Sequence, residues 1–136
     1  MQNLFVQENE EFTIKFTVAT DEDGTIFCDI NRESLVESIE GAKSMEIKDY
    51  KVICKKPSFG STAALYNAIF SVNDDGVNFN PILARYNKIA ALVKSWDLKG
   101  QEEKPTEEDI KSLHPLIATV VGIQIDLQVG VYLVNF

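Results

Sequence analysis

His114 is the one histidine in the 136-residue chain, and it stands between Leu113 and Pro115 with no Cys, Asp or Glu at metal-ligand spacing. An imidazole works as base or ligand only when a second group orients it or shares the metal, so His114 reads as a helix-boundary residue beside a proline. Cys28 and Cys54 lie far apart in sequence and away from the histidine, and both read as buried apolar side chains kept as thiols in a reducing cytosol. Neither a G-x-S-x-G nucleophile turn nor a glycine-rich phosphate loop is present in the sequence. Asp21-Glu22-Asp23-Gly24-Thr25-Ile26 imitates the middle of a calcium-binding EF-hand loop. Setting Gly24 at the sixth loop position, however, puts Ala19 first and Ile30 twelfth, where oxygen ligands are required. A hairpin turn fits that segment better. The 21 acidic residues concentrate in turns and near helix starts, where they are solvated and meet the favourable end of the helix dipole. A glycosidase-like carboxylate pair is the costlier reading of them. No catalytic, metal-binding or cofactor-binding residue is assigned, no cofactor is implied, and an enzyme is not the expected class.

The formal charge of −8 argues against non-specific attraction to nucleic acid or to an anionic membrane, leaving proteins or cationic surfaces as the expected partners. Lys55, Lys56, Arg85, Lys88, Lys94 and Lys99 make the middle of the chain more basic than its ends. They read as a solvated rim, with a docking site for an acidic partner as the sharper alternative. The 45% hydrophobic content suffices for one continuous core, so residues 1–136 are expected to form a single domain. The first residues lack the basic start and long apolar stretch of a signal peptide, and export by that route is not expected. Leu116 to Phe136 is the most apolar stretch, but Gln124, Asp126, Gln128 and two glycines interrupt it short of a membrane span. A cytoplasmic protein is expected.

The elements that would position these residues form an α+β domain. Its strand-rich half, 1–57, is an antiparallel hairpin or small sheet, and its helical half, 58–136, is a bundle of about three helices. Phe12, Ile14, Phe16 and Val18 alternate with polar residues, and strand composition resumes at Thr25 to Ile30 after an Asp23-Gly24 turn. Asn31 can cap a short helix that Gly41 ends, and Met45 to Cys54 forms a third strand with Ile47, Tyr50, Val52 and Cys54 inward. Ser61 would cap a helix carrying Leu65, Tyr66, Ile69 and Phe70, closed by Asn73 to Gly76. The best-defined element has Asn80 as cap, Pro81 in the first turn, and Ile82, Tyr86, Ile89, Val93 and Trp96 at four-three-four-three spacing. Thr106 to Asp109 matches a capping box, and Pro115 restarts or kinks the helix that follows. Leu116, Val120, Ile123 and Leu127 fit a helix, with Ile117, Val121 and Ile125 beside them. Ile123 to Val129 also alternates like a strand, and helix to about Gln128 is the favoured reading.

Several short motifs resemble the tail assembly chaperones of tailed bacteriophages. They are Lys56-Pro57-Ser58-Phe59, then Val93-Lys94-Ser95-Trp96-Asp97-Leu98 closing a helix, then a polar loop to Pro105-Thr106-Glu107-Glu108, then Leu113-His114-Pro115. The resemblance covers roughly residues 55–128. It implies a non-enzymatic protein of the bacterial host cytoplasm that binds the tape measure protein, and tail tube subunits, during tail assembly. It carries over no active-site residue, and it allows a homo-oligomer. The alternative is a structural subunit of tail or baseplate retained in the virion, suggested by the apolar C-terminus. Candidate partner-binding residues are Tyr86, Ile89, Val93 and Trp96 on the second helix, and Val131, Leu133 and Phe136 at the end. The bland reading of the same residues is core.

Overall fold

The computed structural model describes residues 4–7, 9–39, 41, 44–62, 70–73, 76–79 and 81–129. Alternation makes β1 (Glu11–Thr20) the central strand, because Ile14, Phe16 and Val18 all fall on one buried face. It pairs antiparallel with β2 (Ile26–Asp29) on one side and β3 (Glu46–Lys55) on the other. The β1–β2 turn is held by Asp21, whose Oδ1 accepts from the backbone N–H of Asp23 and of Thr25, each at 2.9 Å. Gly24 turns the chain at φ +84°, and among the described residues only glycines have positive φ.

Helix α1 (Arg32–Ser38) is capped by Asn31, whose Oδ1 accepts from the Ser34 N–H at 3.0 Å. It crosses the sheet face opposite the main core, where Leu35 and Ala19 are buried and Arg32 reaches Asp49 at 2.7 Å. Ile47 belongs to this second face, since it pairs with Ala19. It is therefore not inward with Tyr50, Val52 and Cys54.

The predicted helix from Ser61 is replaced in part. Residues 59–62 are helical, but Ser58 does the capping, its Oγ accepting from the Ser61 N–H at 3.2 Å. Leu65, Tyr66 and Ile69 lie outside the described residues. Phe70 is in a strand: β4 (Phe70–Asn73) pairs with β5 (Gly76–Phe79) in a separate two-stranded sheet. In sequence, Phe-Ser-Val-Asn and Gly-Val-Asn-Phe both alternate with period two, and that local pattern prevails over the weaker helical one.

Helix α2 (Pro81–Leu92) is shorter than its apolar spacing predicts, and the expected cap Asn80 lies outside the described residues. Val93 and Trp96 are in β6 (Val93–Trp96), which adds to the main sheet in the order β2-β1-β3-β6. The register explains the error: Val52 pairs with Trp96, Ile53 with Ser95, and Cys54 with Val93, so Lys94 is an extra residue in a bulge. In a regular strand, residues three apart face opposite sides. The bulge turns both Val93 and Trp96 into the core, reproducing the three-residue spacing of a helix.

Beyond a loop, α3 (Glu107–Lys111) opens on the expected capping box. Thr106 Oγ1 accepts from the Asp109 N–H at 3.1 Å, and Asp109 Oδ2 accepts from the Thr106 N–H at 2.9 Å. Pro115 restarts the chain as α4 (Pro115–Val129), which runs as a helix to the end of the described residues. The core lies between the sheet and α2 and α4, with Phe16, Val52, Cys54, Ile89, Trp96, Val121 and Ile125 at its centre. The architecture is mixed α and β, with a four-stranded antiparallel sheet and several helices, which matches the expected hairpin or small sheet followed by a three-helix bundle only in part, since β6 from the second half joins the sheet.

Candidate functional site

Groups that might carry chemistry are occupied structurally. His114 is exposed, and its Nδ1 accepts from the Leu116 N–H at 3.1 Å while its carbonyl accepts from the Ala118 N–H at 3.0 Å. It caps α4, and the Nδ1 lone pair is engaged by the backbone. Burial pushes the Cys54 thiol up to about 12, and burial with the nearby Asp29 charge pushes Cys28 up to about 11, so neither supplies thiolate at neutral pH. Among the described residues no three His, Cys, Asp or Glu side chains are grouped to hold a metal ion. Asp109 is held down to about 2, first by the Lys99 ammonium at 2.6 Å and then by the Thr106 N–H. That carboxylate locks the loop to α3.

The Trp-Asp pair is equally architectural. Trp96 is 2% exposed, and its backbone pairs with Glu103 through N–H to carbonyl bonds of 2.9 and 2.8 Å. Asp97 Oδ1 accepts from the Lys51 N–H at 2.9 Å, extending the ladder past the end of β6. These contacts fold the polar loop back on the sheet edge.

Of the candidate partner-binding residues, Ile89, Val93 and Trp96 are core at 1%, 7% and 2% exposure, and Tyr86 is half-buried. Ile82, which headed the same stripe, is largely exposed. Val131, Leu133 and Phe136 lie outside the described residues. The stripe therefore offers no groove along its length.

Apolar surface also faces outward on α4. This helix has a single charged residue among its 15, Asp126. Ile117, Val121 and Ile125 sit in the core at 7%, 0% and 0% exposure, whereas Ile123 and Leu127 on another flank are 46% and 44% exposed. Leu116 and Val120, half-buried, continue that flank toward the helix start. The spacing 116, 120, 123, 127 is that of a helix-packing seam. α4 is fixed against α2 by Lys88 and Asp126 at 2.5 Å and by Arg85, which lies across Gly122 so closely that a Cβ there would meet it at 2.8 Å. Both anchors use the flank toward α2, leaving the Ile123–Leu127 flank outward.

Near the start of α4, a cleft of about 370 Å³ opens over the core. Its walls include Phe16, Tyr50, Trp96, Leu113 and Ile117, and Lys99, Asp109 and His114 border it. The α4 residue on its wall is Ile117, on the core flank, and none of Leu116, Val120, Ile123 or Leu127 lines it. Sequence periodicity contained the seam, as a second stripe beside Ile117, Val121 and Ile125, but not which stripe the core would take.

No family model, curated protein or solved structure matches the chain. No helix among the described residues is long and apolar enough to cross a membrane.

Proposed function

We propose that the chain is a non-enzymatic assembly chaperone of the phage-tail type, acting in the bacterial host cytoplasm and holding a helical partner on the outer flank of α4. The observation that carries this reading is a helix apolar on two flanks, one in the core and the other, on which Val120 still packs against the core, leaving Ile123 and Leu127 outward. A surface helix normally shows solvent a polar face. The partner it fits is another helix with apolar residues at matching spacing, which is what a tape measure protein, a long helical chain, presents. The resemblance noted in the sequence supports the same role, and the tube subunit is a second partner of that role. At under half exposure, covering Ile123 and Leu127 contributes about 1 kcal/mol each, a contact suited to release.

Co-expression with a long coiled-coil tape measure protein tests the proposal. Retention of that protein in the soluble fraction, and its co-purification with this chain, is expected; its aggregation regardless of this chain counts against the role. The second reading, a tail or baseplate subunit, draws on the apolar run from Val129 to Phe136. Mass spectrometry of purified virions separates the two, since a chaperone is absent from the mature particle.

A further inference from the structure

We infer that the sheet face turned away from α2 and α4 is a second docking surface, which takes a short acidic segment of a partner protein in extended conformation. The register places Glu11, Thr13 and Lys15 of β1 on this face with Lys51, Ile53 and Lys55 of β3, and Ser95 of β6 beside Ile53. Among the described residues, helix α1 covers the far end of this face, around Thr17, Ala19 and Asp49. Thr13, Lys15 and Lys55 are exposed.

The charges here run against the molecule as a whole. Lys15 lies directly opposite Lys51 across the antiparallel pair, an arrangement in which like charges repel at close range. Lys51 approaches Glu102 only at 3.9 Å, and Lys15 has no ion-pair partner among the described residues. Glu11, directly opposite Lys55, gives its carboxylate to Lys94 at 2.6 Å, so the Lys55 ammonium is left unpaired among the described residues as well. A chain of net charge −8 thus gathers Lys15, Lys51, Lys55 and Lys94 on one open face, against Glu11 and Glu102. Placing an acid at position 15 would relieve the local conflict. A local rule broken between Lys15 and Lys51, and offset only by Glu102 at 3.9 Å from Lys51, marks a surface completed from outside.

The occupant follows from size and charge. Lys51 and Lys55 are four residues apart, roughly 13 Å along the strand, so the patch matches a few residues of extended chain rather than a long polyanion. Nucleic acid would carry its charge past the patch onto an acidic surface that repels it. Alternate carboxylates on an extended segment all point to one side and can meet the lysines together.

Fluorescence anisotropy at low salt, with the full chain and a labelled peptide of alternating glutamate and serine, tests the assignment. Saturable binding that weakens as salt rises is expected. Lys15→Glu is expected to weaken it about tenfold or more, while the melting temperature holds or rises because position 15 then faces Lys51 with opposite charge. Lys55→Gln is expected to weaken binding with stability unchanged. Absence of peptide binding, or binding indifferent to both substitutions, overturns the inference. Tighter binding to single-stranded nucleic acid than to the peptide overturns the partner assigned, as does a dimer of this chain that Lys15→Glu dissolves.

Discussion

Trp96 is among the largest fully buried side chains, and its backbone pairs with Glu103. Replacing Trp96 with alanine should cost about 3–5 kcal/mol in urea unfolding, because a large core volume is emptied and the sheet edge it anchors is loosened. Thr106→Ala should cost about 1 kcal/mol, through loss of one half of the capping box. Asp109 adds a pH signature. Its folded pKa of about 2 lies below the ordinary 3.8, so its contribution is complete above about pH 4 and is lost as pH falls toward 2. In Asp109→Asn the melting temperature should be lower at neutral pH and should fall less steeply over that acid range; an unchanged slope would remove the Lys99 pairing as its cause. The caps at Asn31 and Thr106, and the helix start at Pro115, were readable from sequence because each acts within one helical turn. Ser58 displaced Ser61 as the cap near residue 60 by the same local chemistry, three residues earlier.

Elements were readable where one periodicity dominated and misread where tertiary pairing chose between two. β1 and its hairpin follow directly from alternation and a glycine turn. α2 was overextended because the bulge at Lys94 lets a strand imitate helical spacing, and nothing local to Val93–Trp96 announces β3 as its partner. α4 poses the complementary problem, since its sequence contains two apolar stripes and only packing decides which is core. Ile125→Ala should therefore cost about 2–5 kcal/mol, while Leu127→Ala should cost well under half of that, read by chemical denaturation. Equal costs at the two positions would mean that Leu127 is also packed within the domain.

For the molecule as a whole, a mixed α and β fold was visible in composition and pattern, but the location of the outward flank of α4 was not. The residues first singled out on α2 and β6 turned inward because the core of a chain this size takes its largest side chains, Trp96 and Ile89 among them. The flank at Ile123 and Leu127 stayed outward and is the one proposed to hold the partner. A contact worth about 1 kcal/mol per residue fits an assembly factor that leaves, whereas a permanent subunit requires a larger interface. The decisive measurement is co-purification of a tape measure protein with wild type and with Ile123→Glu/Leu127→Glu, the melting temperature of each being recorded. The account predicts that the double variant keeps its fold, with stability within about 1 kcal/mol of wild type, and loses the partner. A folded double variant that still retains the partner would contradict it.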